Sequence, residues 1–93
     1  MGRVHELKIL PEYYWKVKSG LKNFEVRKDD RGFKEGDKLI LKEWKDGKFT
    51  GEQVERWIGY IFKDTEGMFG MPEDVAILGL KRSAPLKHLD GDF

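Results

Sequence analysis

Near the N-terminus, His5, Leu7 and Ile9 alternate with Glu6 and Lys8, the period-two pattern of a half-buried strand. Pro11 then suits the first position of a helix, Glu12 the positive end of its dipole, and Gly20 a left-handed C-terminal cap. These signals predict a helix over Pro11 to Ser19. Within it Tyr13, Val17 and Leu21 recur at spacing four and Tyr14 precedes Val17 by three, so one aromatic-aliphatic face is available to pack on a sheet. The period returns to two where Phe24 and Val26 alternate with Glu25 and Arg27, a second strand. Lys28 to Asp37 is polar, contains Gly32 and Gly36, and reads as a loop before a third strand over Lys38 to Trp44.

Asp46-Gly47 is a strong hairpin signal between that strand and Phe49. Gln53 to Phe62 predicts a further strand, although its apolar positions select no single face and would also suit a helical turn. Asp64 to Pro72, with Gly67 and Gly70 around Met68 and Phe69, reads as a flexible loop with an apolar tip. Val75 to Leu80 reads as a buried closing strand, and residues 82–93 as a loosely attached tail.

The order strand, helix, then several strands predicts an α+β domain over residues 1–81: a curled antiparallel sheet or small barrel with the helix beside it. Leu7, Phe24, Val26, Leu39, Leu41 and Ile77 are expected to share its interior. No repeat, low-complexity tract or linker divides the chain.

Composition narrows the chemistry. With no cysteine among 93 residues, zinc-ribbon, thiol-redox and thiol-nucleophile functions are excluded. Charged side chains interrupt the apolar residues of the first ten positions, so neither a signal peptide nor a membrane span is expected there, and the cytoplasm is the expected location. The formal net charge of +1 provides no whole-molecule attraction for a polyanion, so any nucleic-acid binding must come from a local patch. There is no Gly-rich phosphate loop, Ser-His-Asp order or His-rich metal motif, and no cofactor or metal is expected.

The informative segment is Gly20-Leu21-Lys22-Asn23-Phe24-Glu25-Val26-Arg27. Strand alternation puts Glu25 and Arg27 on one face, away from Phe24 and Val26, and Lys22 at the helix-to-strand junction close to that face. One acid and two bases converge on a polar cleft. Such a cluster is stable in a partly buried place either by internal ion pairing or by holding a ligand. Arg27 offers a fork of donors to a phosphate or base edge, Lys22 a movable point charge, and Glu25 an acceptor for exocyclic amines. Trp44, Trp57, Tyr60 and Phe69 are stacking candidates, each with burial in the core as the competing role. His5 is expected to be a hydrogen-bonded structural histidine, and Asp37 to cap a turn after Gly36.

Gly20, Lys22, Glu25 and Arg27 match in order and spacing the G-x-K-x-x-E-x-R signature of ASCH domains in the PUA-like superfamily. With His5-Glu6-Leu7-Lys8, Asp30-Arg31, Gly36-Asp37-Lys38-Leu39 and Leu41-Lys42-Glu43, the chain resembles a small bacterial and phage branch of unknown function, up to about Lys81. The resemblance implies a β-barrel of about five or six strands, a helix beside a cleft, and binding of RNA or a nucleotide-like ligand. It adds Arg31 to the candidate contacts Lys22, Glu25 and Arg27. One set of ASCH proteins hydrolyses acetylcytidine with a lysine, a threonine nucleophile and a glutamate. Lys22 matches that lysine, but Glu25 stands where the hydroxyl is required. The expected function is therefore a non-catalytic RNA- or nucleotide-binding module. The alternatives are a small hydrolase of a modified nucleoside, with Glu25 as general base, and a protein-interaction or phage accessory domain whose cluster is structural.

Overall fold

The alternation around Leu7 forms strand β1 (Val4–Ile9), with His5, Leu7 and Ile9 buried and their neighbours exposed. Helix α1 (Pro11–Lys18) follows directly, and its first turn is closed by Leu10 O, which accepts from the amides of Tyr13 and Tyr14. Eight residues are too few to hold a helix in isolation, so α1 depends on packing and on its terminus. Tyr14 and Val17 are fully buried, while Gly20, at φ +85°, reverses the chain so that Lys22 N reaches back to Lys16 O. Arg56 completes the cap from across the core by donating to Val17 O at 3.1 Å. The buried face differs from the expected one. Tyr14 and Val17 point inward, whereas Tyr13 is 42% and Leu21 77% exposed.

The structure, a computed structural model, describes residues 2–85. The remaining strands are β2 (Phe24–Lys28), β3 (Lys38–Lys45), β4 (Lys48–Lys63) and β5 (Val75–Lys81), and the expected tail beyond residue 85 lies outside the described residues. Asp46 and Gly47 both have positive φ, the primed turn that matches strand twist, and they join β3 to β4. β4 is a single strand where two had been expected, and a register shift between Ile58 and Tyr60 explains its mixed apolar pattern.

The sheet order is β1-β3-β4-β5-β2. β1 pairs with β3 in parallel, and the other pairings are antiparallel, so the expected all-antiparallel sheet is corrected. The strand between them in sequence crosses to the far edge instead of inserting beside β1. The result is a curled half-barrel with its core formed by Leu7, Ile9, Tyr14, Val17, Leu39 and Leu41, among others. Where a closed barrel would continue its ladder from β1 to β2, side chains bridge the gap. Arg27 Nη2 donates to Lys8 O at 2.7 Å and Arg31 Nη1 to Glu6 O at 2.9 Å. Alternate carbonyls of an otherwise open edge are thereby satisfied.

The expected shared interior is half right. Leu7, Leu39 and Leu41 lie inside, but Phe24 and Val26 are 46% and 53% exposed. The register explains the inversion. Glu25 pairs with Leu78 and Arg27 with Ala76, both on the core face, which turns Phe24, Val26 and the Ile77 paired with Val26 outward. The hydrophobic residues of β2 were expected inside, yet the charge cluster occupies that face because its members neutralise one another.

Candidate functional site

The turn that ends α1 and the start of β2 set the spacing of the cluster. Gly20 reverses the chain, Lys22 follows at the junction, and Glu25 and Arg27 project from the core face of β2. Glu25 is buried and clamped by both cations. Its Oε1 accepts from Lys22 Nζ at 2.5 Å, and its Oε2 accepts from Arg27 Nε and Nη2 at 3.0 and 2.8 Å. Lys22 Nζ also donates to Phe24 O at 2.7 Å. Two cations beside one buried carboxylate satisfy its charge and leave one positive charge in excess.

The three residues line a cleft of about 520 Å³ between the start of α1 and the facing ends of β1 and β2. Lys8, Tyr13 and Phe24 join them on its wall. Lys22 Nζ lies 5.5 Å from the centre of the Tyr13 ring and 4.9 Å from that of Phe24, so an ammonium sits between two exposed aromatic rings. Lys8 contributes to the wall with its ammonium turned onto the Trp44 ring at 3.9 Å, so Lys22 and Arg27 are the cations at the carboxylate, and the lining combines positive charge with apolar surface.

Arg31 does not belong to this lining. Its guanidinium is spent on Glu6 O and lies 3.7 Å from Asp30, so its role in the structure is to hold the loop against the β1 edge. Lys8 and Tyr13 went unrecognised because the parallel pairing of β1 and the tilt of α1 place them there, and neither leaves a mark in short-range periodicity. Glu43 is buried on the core face, where it accepts from Thr50 Oγ1 at 2.6 Å. Among the stacking candidates Trp44 and Trp57 are half-buried, whereas Tyr60 and Phe69 are 64% and 70% exposed. Those two are therefore not core residues.

A second polar centre is structural. Asp37 is 2% exposed and accepts from the Arg3 amide at 2.9 Å, the Lys34 amide at 3.0 Å and His5 Nε2 at 2.8 Å. His5 is hydrogen-bonded and buried, as expected, with its ring edge-on to Phe33 at 4.9 Å. Burial by itself would raise the Asp37 carboxyl, but the three donors outweigh it and hold it below the usual carboxylate range. Among the described residues no group of His, Asp and Glu is placed to hold a metal ion, and no helix is long and apolar enough to cross a membrane.

Comparison with known proteins gives a family and no activity. A protein of Escherichia phage P2, described as an uncharacterized 12.9 kDa protein in the GpA 3' region, is 47% identical over 55 residues. That stretch is 59% of this chain and 50% of the phage protein, so the chain spans about half the length of the relative it matches. The profile of the domain of unknown function DUF3850 matches residues 4–80, which takes in β1 to β4, α1, the whole cleft and all but the last residue of β5. The chain belongs to the DUF3850 family.

Proposed function

We propose that this protein is a binding module for RNA or a nucleotide, of the PUA-like ASCH kind, and that the ligand occupies the cleft between α1 and the β1–β2 gap. The observation that carries the reading is the lining itself: Lys22 and Arg27 against a single buried Glu25, with the exposed rings of Tyr13 and Phe24 beside Lys22. A nucleotide brings the matching parts, an anionic phosphate for the excess cations and a flat base for the rings. Arg27 contacts the phosphate or a base edge, Lys22 supplies charge, and Glu25 selects for an amino-bearing edge. Arg31 acts at the loop rather than on the ligand.

Titration of nucleotides and short single-stranded RNAs at low and moderate salt tests this reading. Arg27→Ala is expected to weaken binding by roughly 1.5–3 kcal/mol, the worth of a charge-assisted hydrogen bond. Stability is measured on the same samples, because Arg27 also pairs with Glu25 and with the β1 edge. Absence of binding at low salt, or unchanged binding by folded Arg27→Ala, would leave the cluster a structural one and favour the interaction-domain alternative.

The same lining argues against acetylcytidine hydrolysis. Glu25 stands in the place of the required hydroxyl, and both of its oxygens are engaged by Lys22 and Arg27. No release of acetate is expected when the protein is incubated with acetylcytidine. Turnover that disappears in Glu25→Gln would show that the carboxylate has taken over the chemistry.

A further inference from the structure

The cleft as it stands is one cation short of the ligand proposed for it. Glu25 neutralises one of its two partners, so Lys22 and Arg27 leave a single positive charge over, whereas a phosphate monoester carries about −1.5 to −2 at neutral pH. Most of the donors are committed as well. Arg27 engages Glu25 through Nε and Nη2 and Lys8 O through Nη2, while Lys22 Nζ engages Glu25 and Phe24 O. The N–H groups of Arg27 Nη1 and one N–H of Lys22 remain for a ligand.

Lys8 is the remaining charged residue of the lining. Its side chain is exposed, and its ammonium lies 3.9 Å from the centre of the Trp44 ring, away from Glu25. That ring is a fixed post. Trp44 is half-buried and packs edge-on against Phe49 at 4.8 Å, with Lys42 over the Phe49 ring at 4.4 Å. Glu6, which shares the exposed side of β1 with Lys8, is taken by Lys42 at 3.4 Å, and among the described residues no carboxylate pairs with Lys8. The cleft is within its reach. Lys8 O accepts from Arg27 Nη2 at 2.7 Å, which puts the guanidinium within about 5 Å of the Lys8 Cα, a distance that a flexible four-carbon stem covers. Magnitudes decide where the ammonium goes once an anion arrives. An exposed cation–π contact is worth roughly two- to five-fold in an equilibrium constant, and a charge-assisted hydrogen bond roughly ten-fold or more.

We propose that Lys8 is a recruited phosphate contact, which rests on Trp44 in the free protein and swings to the phosphate of a nucleotide seated against Arg27 and Lys22. The inference rests on the nucleotide reading of the cleft. Trp44 then competes with the ligand for one ammonium, although its ring lies outside the lining. Cytidine 5'-monophosphate is titrated into the parent, Lys8→Gln, Trp44→Leu and the double variant. Lys8→Gln is expected to weaken binding roughly three- to thirty-fold, the phosphate bond less the ring contact given up for it. Trp44→Leu removes the resting place and is expected to tighten binding roughly two- to five-fold, with no effect once residue 8 is glutamine. Lys42→Gln deletes the same charge from the neighbouring ring and is expected to stay within about two-fold of the parent, because its distance from the cleft is screened. A measurement on the parent alone needs no variant to fold. The Lys8 methylene protons beside the ammonium carry the upfield ring-current shift of a group stacked on indole, and NMR should show that shift vanish at saturation with the mononucleotide. Unchanged affinity in Lys8→Gln or Trp44→Leu, weaker binding by Trp44→Leu, or an equal loss in Lys42→Gln overturns the recruitment and leaves the cleft reading in place. A ring-current shift that survives saturation does the same. A parent that binds no mononucleotide overturns both.

Discussion

Asp37→Ala is expected to destabilise the domain by about 3–5 kcal/mol, a large part of the whole stability of a chain this size. The reason is what the substitution leaves behind. Asp37 ties the turn before β3 to the N-terminal strand through two backbone amides, and to the buried imidazole of His5. Removing the carboxylate strands three donors, of which the His5 ring is 6% exposed, and each unsatisfied buried donor costs about 1–3 kcal/mol. Asp37→Asn keeps one acceptor oxygen and is expected to lose roughly half as much by the same count. Urea denaturation at neutral pH gives both values. A loss under about 1 kcal/mol for Asp37→Ala would mean that water replaces the carboxylate, and the network would not be what holds β1 in place.

The same carboxylate gives the domain an acid limit. The folded-state pKa of Asp37 lies below its unfolded value, so its contribution is complete above the unfolded value and is lost as pH falls through the folded one. The parent should therefore lose the advantage that the Asp37 carboxylate gives it over Asp37→Asn only below about pH 4. Asp29, whose carboxyl is also lowered, adds to the acid sensitivity of both proteins. Burial alone would raise it, but Lys63 at 2.6 Å and the Phe33 amide at 2.9 Å prevail.

The elements of this fold were legible because each carries its own local signal. Pro11 and Gly20 bracket the helix, Asp46-Gly47 announces its hairpin, and the alternation in β1 matches its burial residue by residue. What was not legible depends on partners distant in sequence. The parallel pairing of β1 with β3 spans 34 positions, and nothing in either strand states it. The facing of β2 is the clearest case. Phe24 and Val26 have the composition of a buried face, and only pairing with Leu78 and Ala76 puts Glu25 and Arg27 inward instead. The candidate cluster itself was read correctly as one acid between two bases. Its neighbours Lys8 and Tyr13 come from β1 and α1, and they meet the cluster only because the half-barrel curls until its edges face each other.

Glu25 is where stability and the proposed binding diverge in sign. Glu25→Gln removes the negative charge that neutralises Lys22 and Arg27, leaving two cations whose side chains are only 17% and 23% exposed. Breaking a buried pair typically costs 3–5 kcal/mol, and partial access of water to both cations brings the expected loss to about 3 kcal/mol. In a nucleotide cleft the same change frees donors for phosphate, so inorganic phosphate should bind Glu25→Gln more tightly than the parent, while preference among bases is lost. A triple variant, Lys22→Met, Glu25→Leu and Arg27→Met, distinguishes a ligand site from a scaffold. Replacing a whole buried ion cluster with apolar groups of similar volume is often neutral or stabilising, so this variant is expected to recover most of the lost stability. It should bind neither phosphate nor nucleotide. If the triple variant is as unstable as Glu25→Gln, Arg27 is needed to hold Lys8 O and close the edge, and the cluster acts first as a staple between β1 and β2.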